Sequence, residues 1–274
     1  MNNHLSSTSR NEAYWDEITD VYQEATQIST ERFHLGPLIP SAESLQLLPD
    51  SLSGLRCLEL GCGAAQNSLV LSKAGAQCTA VDVSPKQLEI GRTLLAAEIE
   101  AQTVTSDSLR LLQAGLDDFP IEPESWDFIH STYALPFIDN PAALLKRVAD
   151  GLVSGGTCLL SVGHPLFAME PLELEEGEQG VFVPDYFEPY RDTRALDSGA
   201  WTRAEYLPVE TVCRWVTDAG LCIDRLLEPR PVPDLDVGDP RLAEIPYWSE
   251  DWLEQADRLE KIPVVLVIRA RKLI

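Results

Sequence analysis

Residues 58–84 read LELGCGAAQNSLVLSKAGAQCTAVDVS. An apolar run enters Gly61 and Gly63, a helix-like stretch carries on to Gly75, and a second apolar run closes on Asp82. A buried strand that turns through glycine directly into a helix marks the first unit of a parallel sheet, and such a turn faces a ligand over the sheet's C-terminal edge. Backbone N–H groups of the turn are expected to point at that ligand, with Gly61 and Gly63 allowing close approach. Taken alone, the pattern G-C-G-A-A is equally an ordinary tight turn, because it lacks the third glycine of the dinucleotide fingerprint.

The flanking residues sharpen the choice. Asp82 ends the second strand about twenty residues beyond the turn, where a carboxylate accepts both hydrogen bonds of a ribose diol. The competing role, helix capping, is already offered by Ser84 ahead of Pro85. Glu59, two residues before Gly61, suits a ligand with positive charge and is awkward beside a pyrophosphate.

Working outward, strands are expected at LRCLEL, AQCTAVDVS, LRLLQAG, SWDFIHST and TCLLSVGHP, separated by helical segments. This alternation demands parallel strands joined by right-handed crossovers, hence a doubly wound α/β sheet. The rhythm stops at residue 164 and resumes near 209 with a helix and two more strands, for a mostly parallel seven-stranded sheet. Before it, Tyr14, Trp15, Ile18, Val21 and Tyr22 fall at helical spacing between Asn11 and about Thr30, residues 1–10 read as frayed, and Ser41 reads as the cap of a short helix. Four parts result: a tail and helical lid (1–40), a Rossmann-like core (41–164), an acidic and aromatic insert (165–208) and a C-terminal completion of the sheet (209–274). The acidic run Glu173, Glu175, Glu176 and Glu178 reads as a solvated loop face.

Composition narrows the partners. With 274 residues, 45% of them hydrophobic, the chain can fill a large core. Its 21 Lys and Arg against 44 Asp and Glu give a formal charge of −23, which disfavours nucleic acid and anionic membranes. The densest basic grouping, Arg269, Arg271 and Lys272, reads as a solvated strand end. Six cysteines lie singly in apolar runs with no CxxC pairing, as core residues of a reducing compartment, and no metal site is expected. No stretch approaches the ~18 to 20 apolar residues of a membrane helix, and residues 1–17 lack a leader's charged and apolar regions, so a cytoplasmic protein is expected.

The segments LELGCGAAQNS, VDVS, QAGLDDFP, SWDFIHSTYALPFIDNP and LVSGGTCLLSVGHP resemble, in order and spacing, the successive motifs of class I S-adenosylmethionine-dependent methyltransferases, particularly small-molecule members. The resemblance implies that S-adenosylmethionine is the cofactor and that a small-molecule acceptor takes its methyl group directly. It places Gly61, Cys62 and Gly63 against the methionine part, Asp82 on the ribose, Val83 beside the adenine, the Leu116 N–H on the adenine ring and Ser131 under the sulfonium. Two positions depart from the family: Ala65 replaces a third glycine, which requires a negative φ or a shifted loop, and Gly115 replaces an acidic residue, leaving Asp117 or a carbonyl to meet the adenine amine.

Other side chains carry two readings each. Asn67, in the first turn after the glycines, either contacts the cofactor carboxylate or the loop, or caps its helix. Tyr14 and Tyr22 either close over the cofactor as part of a lid or pack as core. His164 and Tyr133 are the candidate catalytic side chains, His164 as base or substrate contact or else as a tie for the turn before Pro165. Tyr133, Phe137, Phe167, Tyr186, Phe187, Tyr190 and Trp201 would line an acceptor site if the insert folds over it, whereas in a dimer the insert would make the contact, leaving monomer and homodimer both open. His34 either roofs the site or lies exposed. The competing functions are a nicotinamide-dependent oxidoreductase and a non-catalytic cofactor-binding subunit.

Overall fold

The computed structural model describes residues 6–173, 179–255 and 261–273. Its central strands are β2 (Arg56–Leu60), β3 (Gln77–Asp82), β4 (Leu109–Gln113), β5 (Trp126–Thr132), β6 (Leu152–Gly163), β11 (Leu221–Leu227) and β13 (Val265–Lys272). They form one seven-stranded sheet in the order β11-β13-β6-β5-β2-β3-β4. β6, β5, β2, β3 and β4 run parallel, and β13 is antiparallel to both its neighbours. The chain leaves β2 toward β3 and β4 on one side and returns to β5 and β6 on the other, so the strand order reverses at β2, which opens a crevice beyond its C-terminal end.

Both sheet faces are covered, as unbroken apolar strands require. On one face Leu69 and Leu71 of α2 (Gln66–Lys73) and Leu88 of α3 (Pro85–Glu100) pack with Cys57, Phe128, Val265 and Val267. On the other, Leu144, Leu145 and Val148 of α4 (Pro141–Gly151) and Val212 and Val216 of α6 (Val209–Asp218) pack with Leu58, Ile129, Leu266 and Ile268. Neighbours in sequence take opposite faces, the period of a strand. The run LVSGG, expected to finish a helix, instead begins β6, because α4 ends at Gly151.

The first helix, α1, spans Ser7–Ala25 and starts earlier than the apolar spacing indicates, because the Ser6 hydroxyl accepts from the Ser9 N–H. Ser41 caps only a turn, accepting from the Ser44 N–H. Next to α1, β1 (Gln27–Ile28) pairs with β12 (Tyr247–Trp248). After β6, a short helix α5 (Pro165–Ala168) leads into two hairpins, β7 (Glu170–Glu173) with β8 (Gln179–Phe182) and β9 (Tyr190–Ala195) with β10 (Trp201–Tyr206). Glu175, Glu176 and Glu178 of the acidic run lie outside the described residues. A short helix α7 (Glu250–Glu254) precedes β13.

α1 lies across the second hairpin. Asn11 donates to the Phe137 carbonyl at 2.8 Å and accepts from the Thr202 hydroxyl at 2.7 Å, while the Arg10 guanidinium sits 4.7 Å from the Trp201 ring centroid. Among the described residues no helix is long and apolar enough to cross a membrane. Cys57, Cys62, Cys78 and Cys158 are buried as expected, but Cys222 is exposed and Cys213 half-buried.

One basic residue corrects the sequence reading. Arg269, taken for part of a solvated strand end, is only 9% exposed. Its Nε and Nη2 donate to the two Asp224 oxygens at 3.0 Å each, and Nη1 donates to the Gln46 carbonyl at 3.0 Å. Burial raises the Asp224 pKa, but the hydrogen bonds from Arg269 and Arg271 outweigh it and hold the carboxyl below its ordinary value. Its stabilisation is therefore present above the unfolded-state pKa and is lost as pH falls through the depressed folded one. Arg269→Met should lower the unfolding free energy at neutral pH by about 3 kcal/mol, the low end for a broken buried pair because Asp224 keeps some solvent. Urea unfolding curves of the two proteins test this; unchanged midpoints would show the pair to be inert.

Candidate active site

The glycine turn is held by β3. Gly61 and Cys62 both donate their N–H to the Val81 carbonyl, at 2.8 and 3.0 Å, and the Gly63 N–H goes to Asp82 Oδ2 at 2.8 Å. The expectation that these amides point at a ligand is corrected: all three are spent on the neighbouring strand. What the turn offers is closeness, since Gly61 and Gly63 have φ of 73° and 53°. A Cβ on Gly61 would lie 2.2 Å from the Ala134 side chain. Ala65 does not follow the expected escape to negative φ; it sits at φ 60°, left-handed and fully buried, at a cost of roughly 1–2 kcal/mol that the surrounding packing has to offset.

Two carboxyls flank the turn. Asp82 Oδ1 also accepts from the Ser84 N–H at 2.9 Å, which aims the group and leaves each oxygen a lone pair. Burial raises its pKa while these backbone donors pull it back. Glu59, 3% exposed on β2, accepts from the Ser68 N–H and hydroxyl at 3.1 and 2.5 Å, tying the strand to α2. Its other oxygen lies 3.9 Å from His130 Nδ1, and burial pushes the Glu59 pKa up to about 8 against the pull of Ser68. His130 is itself fully buried, stacked on Phe128 with ring centroids 5.3 Å apart.

Above the turn opens a cavity of about 630 Å³, within the ~300–1,000 Å³ of pockets that enclose a small ligand. Of the residues singled out from the sequence, Glu59, Gly61, Cys62, Gly63, Asp82, Val83, Leu116, Tyr22 and Tyr133 line it. Tyr14, Asn67, Ser131 and His164 do not. Tyr14 is packed edge-on against Trp15. Ser131 donates its hydroxyl to the Leu60 carbonyl at 2.8 Å. Asn67 holds the backbone of His34, accepting from its N–H at 2.9 Å and donating to its carbonyl at 3.1 Å.

His164 is 2% exposed and engaged at both ring nitrogens. Nδ1 accepts from the Leu166 N–H at 3.2 Å, capping α5, which leaves Nε2 to donate to Glu228 at 2.9 Å. Burial lowers its pKa despite that carboxylate. This geometry favours the tie-down of the turn over the role of base.

His34 lines the cavity, one of the two readings it carried, whereas Tyr247, Arg194 and Thr8 escaped sequence reasoning. His34 and Tyr247 meet edge to face across 5.5 Å, and Arg194, from the second hairpin, pairs with Asp192 and reaches the Tyr206 hydroxyl. Thr8 of α1 fills the space that a side chain at residue 115 would need, its hydroxyl 2.4 Å from a Cβ built there. Nearby, Asp117 is taken up by the Ser7 hydroxyl and by the Asp139 and Asn140 N–H groups. Tyr133, singled out from the sequence and following β5 directly, sits at positive φ, 63°.

A carboxyl that titrates near 8 in the folded protein and near 4.5 unfolded gives stability that declines as pH rises between those values, the reverse of an ordinary paired carboxylate. Glu59→Gln should remove that decline. Urea unfolding at pH 6, 7, 8 and 9 measures it; parallel pH profiles for both proteins would contradict a protonated Glu59.

Comparison with known proteins bears on the domain and the fold. Residues 58–160 match the methyltransferase domain family. An uncharacterized protein of Haemophilus influenzae is 29% identical over 99% of both chains. The ubiquinone biosynthesis O-methyltransferase of Xylella fastidiosa is 30% identical over 59% of this chain, which spans 64% of that relative's length. An S-adenosylmethionine-dependent methyltransferase of Mesorhizobium loti shares the fold with a TM-score of 0.65 at 22% identity, over 84% of this chain and 96% of its own. Residues 58–160 thus carry a methyltransferase domain, set in a sheet whose fold is shared with S-adenosylmethionine-dependent methyltransferases.

Proposed function

We propose that the protein methylates a small molecule, holding S-adenosylmethionine over the glycine turn and the acceptor against the aromatic wall of the same cavity. The observation that carries this reading is that one cavity is bounded by Gly61–Gly63 and Asp82 and also by Tyr133, Phe137, Phe167, Tyr206, Tyr247 and Trp252. A fit to the cofactor is supported by the Gly61 cradle, which any side chain would fill, and by the aimed carboxylate of Asp82. Gly61, Cys62 and Gly63 would receive the methionine part, Asp82 the ribose hydroxyls, and Val83 and Leu116 the adenine. Thr8 would stand where relatives have an acidic side chain.

When bound, the cofactor supplies an electrophilic methyl carbon on a sulfonium. The chain's own work is to orient an acceptor atom in line with it and to keep water out. Tyr133 would serve the first task and α1 the second, as a lid, a reading supported by Tyr133, Trp15 and Tyr22 all lining the cavity. The second hairpin would act as the acceptor cap. Small acceptors suit a cavity of this volume, and the formal charge of −23 opposes a nucleic-acid acceptor.

Calorimetric titration with S-adenosylmethionine, S-adenosylhomocysteine and NAD tests the reading: saturable binding of the first two and none of the third is expected, and binding of NAD alone would overturn it. Asp82→Ala should weaken cofactor binding by about 2–3 kcal/mol, the loss of charge-assisted bonds to the ribose. Unaltered affinity in a folded variant would remove Asp82 from the site.

A further inference from the structure

One fixed cation stands on the cavity wall. Among the described residues that line the cavity, Arg194 is the single lysine or arginine, whereas Asp82, Asp117 and Asp251 all line it too. Arg194 lies on β9 directly opposite Thr202 of β10, the fully buried residue whose hydroxyl donates to Asn11 of α1 at 2.7 Å. An anchored strand therefore carries the guanidinium. Its Nε and Nη2 both donate to Asp192 Oδ2 at 2.8 Å, and Nη2 reaches the Tyr206 hydroxyl at 3.4 Å. Three of the five N–H bonds are thus committed, and the two on Nη1 have no partner among the described residues. Nη1 is not sealed off: the side chain keeps 41% of its surface open, and Nη1 is not one of the unpartnered polar atoms shut away from solvent.

The open edge belongs to the acceptor wall. Arg194 Cζ lies 5.8 Å from the Phe137 ring centroid. The Tyr206 ring packs against Gly163, the last residue of β6, and so does that of Tyr133; a Cβ at Gly163 would stand 2.5 and 3.5 Å from the two rings. These contacts set the guanidinium beside the C-terminal edge of the sheet, and none of its hydrogen bonds goes to the glycine turn. Its charge is felt inside the cavity: burial raises the Tyr22, Tyr133, Tyr206 and Tyr247 phenols, and Arg194 pulls each of them back down.

We propose that, on the methyltransferase reading above, the acceptor carries a carboxylate that Arg194 receives through Nη1, which makes Arg194 a specificity-determining residue of the acceptor site.

Charge is the reason. With a formal charge of −23 the chain as a whole opposes an anion, so a pocket that holds one needs a cation at a fixed place. Asp192 occupies one edge of the planar fork and thereby sets its orientation, while the other edge stays available to a second carboxylate. A neutral acceptor would gain little from that edge, and a cationic one would be repelled by it. The guanidinium keeps its proton, so Arg194 positions the acceptor and takes no proton from it.

Calorimetry on the S-adenosylhomocysteine complex at neutral pH tests this with 2-naphthoate and 2-naphthamide, which differ in charge and hardly in shape. The naphthoate should bind about tenfold or more tightly than the amide. Arg194→Met should bring the naphthoate to the level of the amide, with the amide and S-adenosylhomocysteine bound as before. Arg194→Lys, which keeps the charge but loses the fork, should retain a reduced preference, so the test does not hang on the folding of the methionine variant. Equal binding of the two probes, binding of neither at millimolar concentration, or a preference that survives in Arg194→Met would overturn the proposal. Loss of S-adenosylhomocysteine affinity in Arg194→Met would also overturn it, by giving the guanidinium to the cofactor's own carboxylate. Failure of S-adenosylhomocysteine to bind the unaltered protein would instead sink the cofactor reading on which the proposal rests.

Discussion

The end of β3 fixes the site by consuming three consecutive amides of the turn after β2. A turn with its donors already spent cannot grip a ligand through them; it contributes a shaped, side-chain-free surface instead. The same bonds orient Asp82, because the carboxylate that anchors Gly63 is the one that faces the cavity. Turn shape and polar recognition are therefore one structure, and the parallel pairing of β2 with β3 positions both. Beside this pinned turn, Ala65 holds an αL conformation at the entry to α2 although it bears a side chain.

The opposite wall is assembled from distant pieces. His34 comes from the loop after α1, Tyr133 from the end of β5, Arg194 and Tyr206 from the second hairpin, and Tyr247 and Trp252 from the segment before β13. Short local ties hold them in place: Asn67 on the His34 backbone, Asn11 between Phe137 and Thr202, and the Tyr22 and Tyr247 hydroxyls 3.3 Å apart. α1 joins the two walls. Its Asp16 carboxylate accepts from the Ser84 hydroxyl and the Lys86 N–H at the start of α3, and its Asn11 reaches the hairpin.

The sheet was legible because its signal is periodic and local. Apolar runs of strand length, each followed by a glycine or capping residue and a helical stretch, leave few topologies, and the glycine turn with Asp82 lies on the wall of the cavity. The opposite wall was legible only in part: Tyr133, Phe137, Phe167 and His34 were singled out and line the cavity, but nothing near Arg194 or Tyr247 in sequence reports that they face it. Asn67 and Ser131 show a different limit. Both lie next to residues that line the cavity, but their polar groups serve the backbone of His34 and of Leu60. His164 was correctly drawn to the sheet's C-terminal edge, but spacing could not reveal Glu228, which occupies its second nitrogen.

β13 lies between β6 and β11, and its run from Val264 to Ile268 is at most 1% exposed. A strand made after all the others thus fills an interior position of the sheet, not an edge. As the chain emerges during synthesis, β6 ends in an open edge and β11 has no partner in the sheet until residues 265–272 arrive. Two unpaired apolar strand edges persist through that interval, the condition under which strands of separate chains associate.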